Sequence, residues 1–454
     1  MTTIHQSQSK VDLLLCRGRA SRLLLLCAFA GIFARVAPAA VLDPRTIQSA
    51  TLHNGLRLVV CEEVDASVVS VEVIVRAGAA HAPPGQEGIA HLLEHVLWAS
   101  GGTDDPRRRI EAIGGVVNGG TLRDYTRFYA TVPAGHLHLA VGALADLVLG
   151  DPSDGATILR ESAVVRQESL ARRDQLRAIL SQLAFEEVYG SDHPYRYSID
   201  GSAEALATVG PTKLSLFHQT WYVPNNTAVV VVGDVDFDEV HAAVEGAFGH
   251  LVPSPLPTSV HQPLPRPARG RQRVVTTKAR DAYVMAAFVG PAGFERREVC
   301  ASDLLATLLA HGPTGSLVEE LVENRGIATS AGIDFLTQRH RSLFGVWAVC
   351  NADDISAVKE SIRSELRRLA EDAIPPARFA AAKRLLSSGY AFANETPADR
   401  AATLAFYEAV DTYRSAGQYL PRVSLLGRSD VQEVASWYAG DPVWVVLTPK
   451  VAGQ

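Results

Sequence analysis

The stretch Gly88-Ile89-Ala90-His91-Leu92-Leu93-Glu94-His95 governs how the rest of the chain is read. Its last five residues form the pattern H-x-x-E-H. On a helix, His91 and His95 project from one face a turn apart, a spacing that lets two imidazoles grip one zinc ion. Glu94 is then held close to the metal without having to ligate it. A zinc-bound water next to a carboxylate is the working part of a metal hydrolase. The bland alternative is an amphipathic helix with a polar stripe, whose apolar face would be Ile89, Leu92, Leu93, Val96 and Leu97.

Zinc in a hydrolase usually takes three protein ligands and leaves one position for water, so two histidines need a partner. The candidate segment runs from Glu161 to Glu168 and reads as helix. Seven residues apart, Glu161 and Glu168 lie on one face. Glutamates on a helix are ordinarily just solvated, and the residues by themselves do not choose between these two. Glu94 fits the general base. It would take a proton from the zinc-bound water as that water attacks a carbonyl, and return a proton to the leaving amine.

Working outward, residues 1–39 read as a secretory signal. Lys10, Arg17, Arg19 and Arg22 precede the apolar run Leu23 to Ala34, and Ala37-Pro38-Ala39 is a small-x-small cleavage pattern. The run is too short to span a bilayer comfortably, and no later stretch is a candidate membrane span, so no stable membrane insertion is expected. Loss of five basic residues and one acidic one would take the net charge from −6 to −10. That balance argues against nucleic acid or an anionic membrane as partner. Cys61, Cys300 and Cys350 remain after cleavage; three cysteines in 454 residues are no disulfide framework. Buried thiols are the expectation, with a Cys300–Cys350 bridge the alternative.

Prolines 253, 255, 257, 263, 265 and 267 mark residues 252–270 as an extended connector. It divides the chain into an N-terminal domain at 45–251 and a C-terminal one at 271–450. The two are alike in outline. Each opens with two strand-like runs, Leu56 to Glu62 and Val68 to Arg76 in one, Arg273 to Thr277 and Ala282 to Val289 in the other. Each closes with a helix ending in Trp-Tyr (Trp221-Tyr222, Trp437-Tyr438) that leads into a β-branched run. The pattern predicts an internal duplication of an α+β unit. Only the first copy carries H-x-x-E-H.

These residues resemble the pitrilysin/insulinase family of zinc metallopeptidases, the inverzincins. The resemblance covers nearly all of residues 48–449. It rests on Thr51-Leu52-His53-Asn54-Gly55-Leu56, on the run at 88–95, and on Asn118, Thr121, Asp124 and Thr126. It extends through the Glu161/Glu168 helix, His193-Pro194-Tyr195, and Trp221-Tyr222 to Gly233-Asp234. It implies two homologous α/β-sandwich domains, each a mainly antiparallel sheet with helices packed on it. It also implies one Zn2+ per chain held by His91, His95 and Glu168, because the family's zinc glutamate ends an E-x6-E pattern, with Glu161 orienting a histidine. Residues Asn118, Gly119, Gly120 and Thr121 look like the family's exposed edge strand, to which a peptide substrate adds by main-chain hydrogen bonds; a polar turn stabilised by its glycines is the plainer reading. His193-Pro194-Tyr195 is expected to pack rather than react.

One departure stands out. The family's pattern L-R-E-x-x-G-L-x-Y, whose arginine and tyrosine help bind substrate and stabilise the oxyanion, falls on Leu321 to Thr329. Here Val322 and Thr329 replace them, and neither can donate the charge-assisted or phenolic hydrogen bond such a site needs. Some members of the family are heterodimers in which one subunit carries zinc and the other the Arg/Tyr pair. The resemblance therefore implies a periplasmic zinc endopeptidase subunit that cuts peptides or unfolded segments and needs a homologous Arg/Tyr-bearing partner. The competing readings are a non-catalytic scaffold or assembly subunit and a module that captures peptides without cutting them.

Overall fold

Runs of valine set the two sheets. In the computed structural model, which describes residues 42–100, 105–191, 193–257, 270–312 and 315–450, every residue of the strand Thr227–Gly233 is buried. A strand so uniformly apolar must be covered on both faces. The signal segment and most of the proline-rich connector lie outside the described residues.

The first half contributes β1 (Ile47–Thr51), β2 (Arg57–Glu62), β3 (Val68–Val75), β4 (Val116–Thr121), β5 (Thr126–Pro133) and β6 (Thr227–Gly233). Its helices are α1 (Ile89–Ala99), α2 (Pro106–Ala112), α3 (Leu137–Val148), α4 (Gly155–Arg173), α5 (Leu176–Tyr189), α6 (Pro211–Trp221) and α7 (Phe237–Phe248). The second half contributes β7 (Gln272–Thr277), β8 (Ala282–Val289), β9 (Ser330–Phe335), β10 (Leu343–Cys350) and β11 (Val443–Pro449). Its helices are α8 (Arg296–Ala310), α9 (Ile355–Glu371), α10 (Pro376–Phe392), α11 (Pro397–Val410), α12 (Arg414–Leu425) and α13 (Arg428–Tyr438).

The first sheet runs β1-β2-β6-β3-β5-β4 and the second β7-β11-β8-β10-β9. Apart from the added β1, the orders superpose strand for strand. In each sheet one pair is parallel, β2 with β6 and β7 with β11, and all other pairs are antiparallel. The structure thus has the expected mixed helix-and-sheet fold with a repeated unit.

The halves also exchange helices. One face of the first sheet packs on its own α1, α3, α6 and α7. The other face, with Val59, Cys61, Ile74, Val230 and Val232, is covered by Ala401, Leu404, Ala405 and Ala409 of α11. Reciprocally, α5 lays Leu180, Leu183, Ala184 and Val188 on Met285, Ala287, Val445 and Leu447 of the second sheet. The helices α5 and α11 hold the same place in the two repeats, so each unit lends the other an equivalent element.

A polar seam fastens the exchange. The Tyr195 hydroxyl donates to Asp124 and accepts from the His340 amide at 3.2 Å. Asp124 also accepts from the Arg339 amide at 3.0 Å. Tyr195 is fully buried, which gives His193-Pro194-Tyr195 the packing role expected of it. Cys61, Cys300 and Cys350 are buried free thiols, and burial pushes the Cys300 thiol up to about 12.

Candidate metal centre

Helix α1 starts sharply at Gly88, whose φ of +95° needs glycine. The same residue lets a loop approach: a Cβ at Gly88 would meet the Asp200 carbonyl oxygen at 2.5 Å, and one at Gly201 would meet the Glu87 carbonyl oxygen at 1.9 Å. Helix α1 then buries Ile89, Leu92, Leu93, Val96 and Leu97 in the core of the first half. That apolar stripe is real, and it serves to aim the polar residues between its members. His91 and Glu94 are buried, and the two imidazole rings stand 4.8 Å apart at 84°.

Helix α4 lies against α1 and supplies the carboxylate. Its first turn is capped by Asp154, which accepts from the Ala156 and Thr157 amides. Glu168 Oε2 lies 3.7 Å from His91 Nε2 and 3.8 Å from His95 Nε2. One ligand atom from each of the three falls within 4.8 Å of the others, and among the described residues they form the one such cluster of histidine, cysteine and acidic side chains. Ligands about 2.0–2.1 Å from a zinc ion stand roughly 3.3–3.4 Å apart in a tetrahedron. Glu168 Oε2 is within a few tenths of an ångström of that spacing from each histidine, while the widest separation in the cluster, 4.8 Å, would close by about 1.4 Å around an ion; two imidazole nitrogens with one carboxylate oxygen is a zinc-type donor set.

The other ring nitrogens face carboxylates. His95 Nδ1 lies 3.5 Å from Glu161 Oε2. His91 Nδ1 lies 3.3 Å from Asp200 Oδ1, and Arg172 Nη1 is 3.0 Å from that same oxygen. Asp200 and Arg172 were not legible in the sequence, where neither sits in a recognisable spacing. Glu94 turns toward the sheet, and its Oε2 accepts from Thr121 Oγ1 at 2.7 Å.

Asn118, Gly119, Gly120 and Thr121 lie in β4, a strand rather than a polar turn, at the outer edge of the first sheet. Their one strand neighbour is β5, with Asn118 opposite Tyr129 and Thr121 opposite Thr126. Asn118 is exposed; its Oδ1 accepts from the Gly119 amide at 2.8 Å. A Cβ at Gly119 would stand 2.9 Å from Trp98 Nε1 and 3.2 Å from Glu94 Oε1, so glycine here leaves room for the indole and the carboxylate.

In the second half, α8 takes the place of α1. Setting Ser302-Asp303-Leu304-Leu305-Ala306-Thr307-Leu308-Leu309 on Ala90-His91-Leu92-Leu93-Glu94-His95-Val96-Leu97 pairs the apolar residues and replaces His91, Glu94 and His95 by Asp303, Ala306 and Thr307. Asp303 instead accepts from the Tyr419 hydroxyl at 2.7 Å. Val322 packs against the second core, and the Thr329 hydroxyl donates to the Val349 carbonyl at 3.2 Å. Both replacements of the expected Arg/Tyr pair are taken up in structure.

Comparison with known proteins bears on family and fold. A family model described as Insulinase (Peptidase family M16) matches residues 58–193, and one described as Peptidase M16 inactive domain matches residues 208–386. An uncharacterized zinc protease of Mycobacterium tuberculosis is 30% identical over 380 residues, 81% of this chain and 84% of the relative. The zinc protease PqqE of Helicobacter pylori is 26% identical over 408 residues, 87% and 90% of the two chains. Among solved structures, a protease from Helicobacter pylori aligns with a TM-score of 0.80 at 25% identity, covering 89% of this chain and 99% of that one. Pitrilysin aligns in fold with a TM-score of 0.72 at 19% identity, covering 89% of this chain and 45% of that one.

Proposed function

Because the chain belongs to the insulinase family, peptidase family M16, we propose that it is the zinc-bearing subunit of an endopeptidase. In this reading His91, His95 and Glu168 hold one zinc ion, Glu94 is the general base, and Glu161 orients His95. The observation that carries it is the convergence of one ligand atom each from His91, His95 and Glu168 within 4.8 Å, where α4 brings Glu168 to the helix that bears both histidines and Glu94. Zinc bound there supplies Lewis acidity toward a peptide carbonyl.

The chain's own residues do the rest. A substrate segment adds to the free edge of β4 at Asn118, Gly119 and Gly120, and main-chain hydrogen bonds fix its register. Thr121 sits at the end of that edge and fixes the Glu94 carboxylate, which takes a proton from the attacking water and returns it to the leaving amine. Val322 has no donor and the Thr329 hydroxyl is engaged by the Val349 carbonyl, so a homologous subunit with the Arg/Tyr pair completes the site. The protein acts in the periplasm after loss of residues 1–39, with 45–251 as the zinc-binding domain and 271–450 as its metal-free homologue. Among the described residues, no helix is long and apolar enough to cross a membrane.

The test uses the full chain and its Glu94→Gln variant, with a homologue bearing the Arg/Tyr pair. The expected outcome is one zinc per chain in both, peptide hydrolysis only by the wild type, and full activity only with the partner. Hydrolysis by the glutamine variant would remove Glu94 from the mechanism. Full activity of the chain alone would sink the two-subunit reading.

A further inference from the structure

We propose that Asp200 is a positioning residue of the metal centre: it fixes the His91 ring so that Nε2 faces the other ligands. The inference rests on the zinc reading above. An imidazole donating from Nδ1 to a carboxylate is held in the tautomer whose Nε2 carries the lone pair, and its orientation and basicity are set by that partner. Asp200 Oδ1 is 3.3 Å from His91 Nδ1, with side chains only 3% and 7% exposed. His91 Nδ1 and Asp200 Oδ1 are both buried, and neither makes a hydrogen bond among the described residues; the two face each other as an ion-pair contact. A buried N–H left in that state is costly, and Asp200 is the acceptor within reach.

The placement is built into the backbone. Gly88 and Gly201 let the loop around Asp200 press against the start of α1 closer than any side chain would permit. The Asp200 amide donates to Ser198 Oγ at 3.4 Å. The carboxylate charge is balanced by Arg172, whose Nη1 is 3.0 Å away and whose Nη2 is 3.7 Å from Glu168 Oε2. Arg172 thus ties the partner of one ligand to another ligand, an arrangement that keeps a buried carboxylate tolerable. Glu161 stands in the same relation to His95, so each histidine has its own carboxylate behind it.

The experiment compares wild type, Asp200→Asn and Asp200→Leu in the full chain, measuring the Kd for zinc by chelator competition and the Tm of the metal-free protein. The expected result is a zinc Kd raised about 10–100-fold in the leucine variant. A smaller rise is expected for asparagine, which keeps an acceptor of the same shape but loses the charge. Metal-free Tm should change little for asparagine, which keeps that variant informative if leucine does not fold. A zinc Kd equal to wild type in the asparagine variant, and in any leucine variant that folds, overturns the proposal. So does a loss confined to metal-free Tm, which marks a role in holding the loop alone. A wild type that binds no zinc instead overturns the functional reading and this inference together.

Discussion

At the scale of single residues, the site is an arrangement of supports as much as of ligands. Glu94 is buried and its Oε2 is held by one hydroxyl, that of Thr121. Hydrogen bonds to charged groups contribute about 1.5–3 kcal/mol. Thr121→Val keeps the shape and deletes the donor, so kcat should fall roughly tenfold or more while zinc content stays at wild type. Metal analysis beside steady-state kinetics checks this, and an unchanged kcat would show that Thr121 does no more than fill the strand. The candidate ligands His91 and His95 were legible in the sequence because a helix converts a spacing of four into a shared face, and Glu168 was named through the family resemblance. Asp200 and Arg172 were not, because a loop's approach to a helix leaves no periodic trace.

At the scale of elements, the exchanged helices matter most. Leu404 lies fully buried in α11 against the first sheet. Its neighbours there are Val59, Ile74, Val230 and Val232, all from the other half of the chain. Leu404→Ala should cost about 2–5 kcal/mol. The loss should appear in denaturant unfolding as one transition shifted as a whole, followed both by tryptophan fluorescence and by far-UV circular dichroism. Separate transitions for the two halves would contradict the coupling. β2, β3, β6, β7, β8 and β11 were readable from β-branched runs and turn residues, as was the repeat, from its paired Trp-Tyr helix ends; β1, β5, β9 and β10 were not read. Which sheet each helix would cover was not, since α5 and α11 are amphipathic in the same way whichever sheet they meet.

At the scale of the whole molecule, two consequences follow from the duplication. First, residues 45–251 expressed alone would leave the Val59, Ile74, Val230 and Val232 face uncovered. Such a fragment should fail to give a sharp thermal transition and should bind a hydrophobic dye; a native-like melt would overturn this. Second, the second half's counterpart of the site carries a titrating group. Burial pushes the Asp303 carboxyl up to about 7, against the smaller opposing effect of its Tyr419 hydrogen bond. A folded-state value above the unfolded one means that folding favours the protonated form. The carboxyl therefore costs nothing at pH below about 4, and its cost grows as pH rises towards 7 and then levels off. Asp303→Asn should raise Tm more at pH 8 than at pH 4, and an equal change at both would exclude Asp303 as the source. The same position in the first half holds His91, where the second half has a buried acid.

The sequence alone determined the fold class, the repeat and the two candidate histidine ligands, because helical and strand periodicities and the H-x-x-E-H spacing are local properties that a chain carries wherever it folds; the choice of Glu168 over Glu161 came from the family resemblance. It also showed the missing Arg/Tyr pair, since absence at a motif position is visible without coordinates. Tertiary structure decided which carboxylate stands behind each histidine, what holds Glu94, and which half covers which sheet. Those depend on contacts between segments far apart in the chain, where close approach is set by glycines at 88 and 201 and by complementary apolar faces that no local pattern distinguishes.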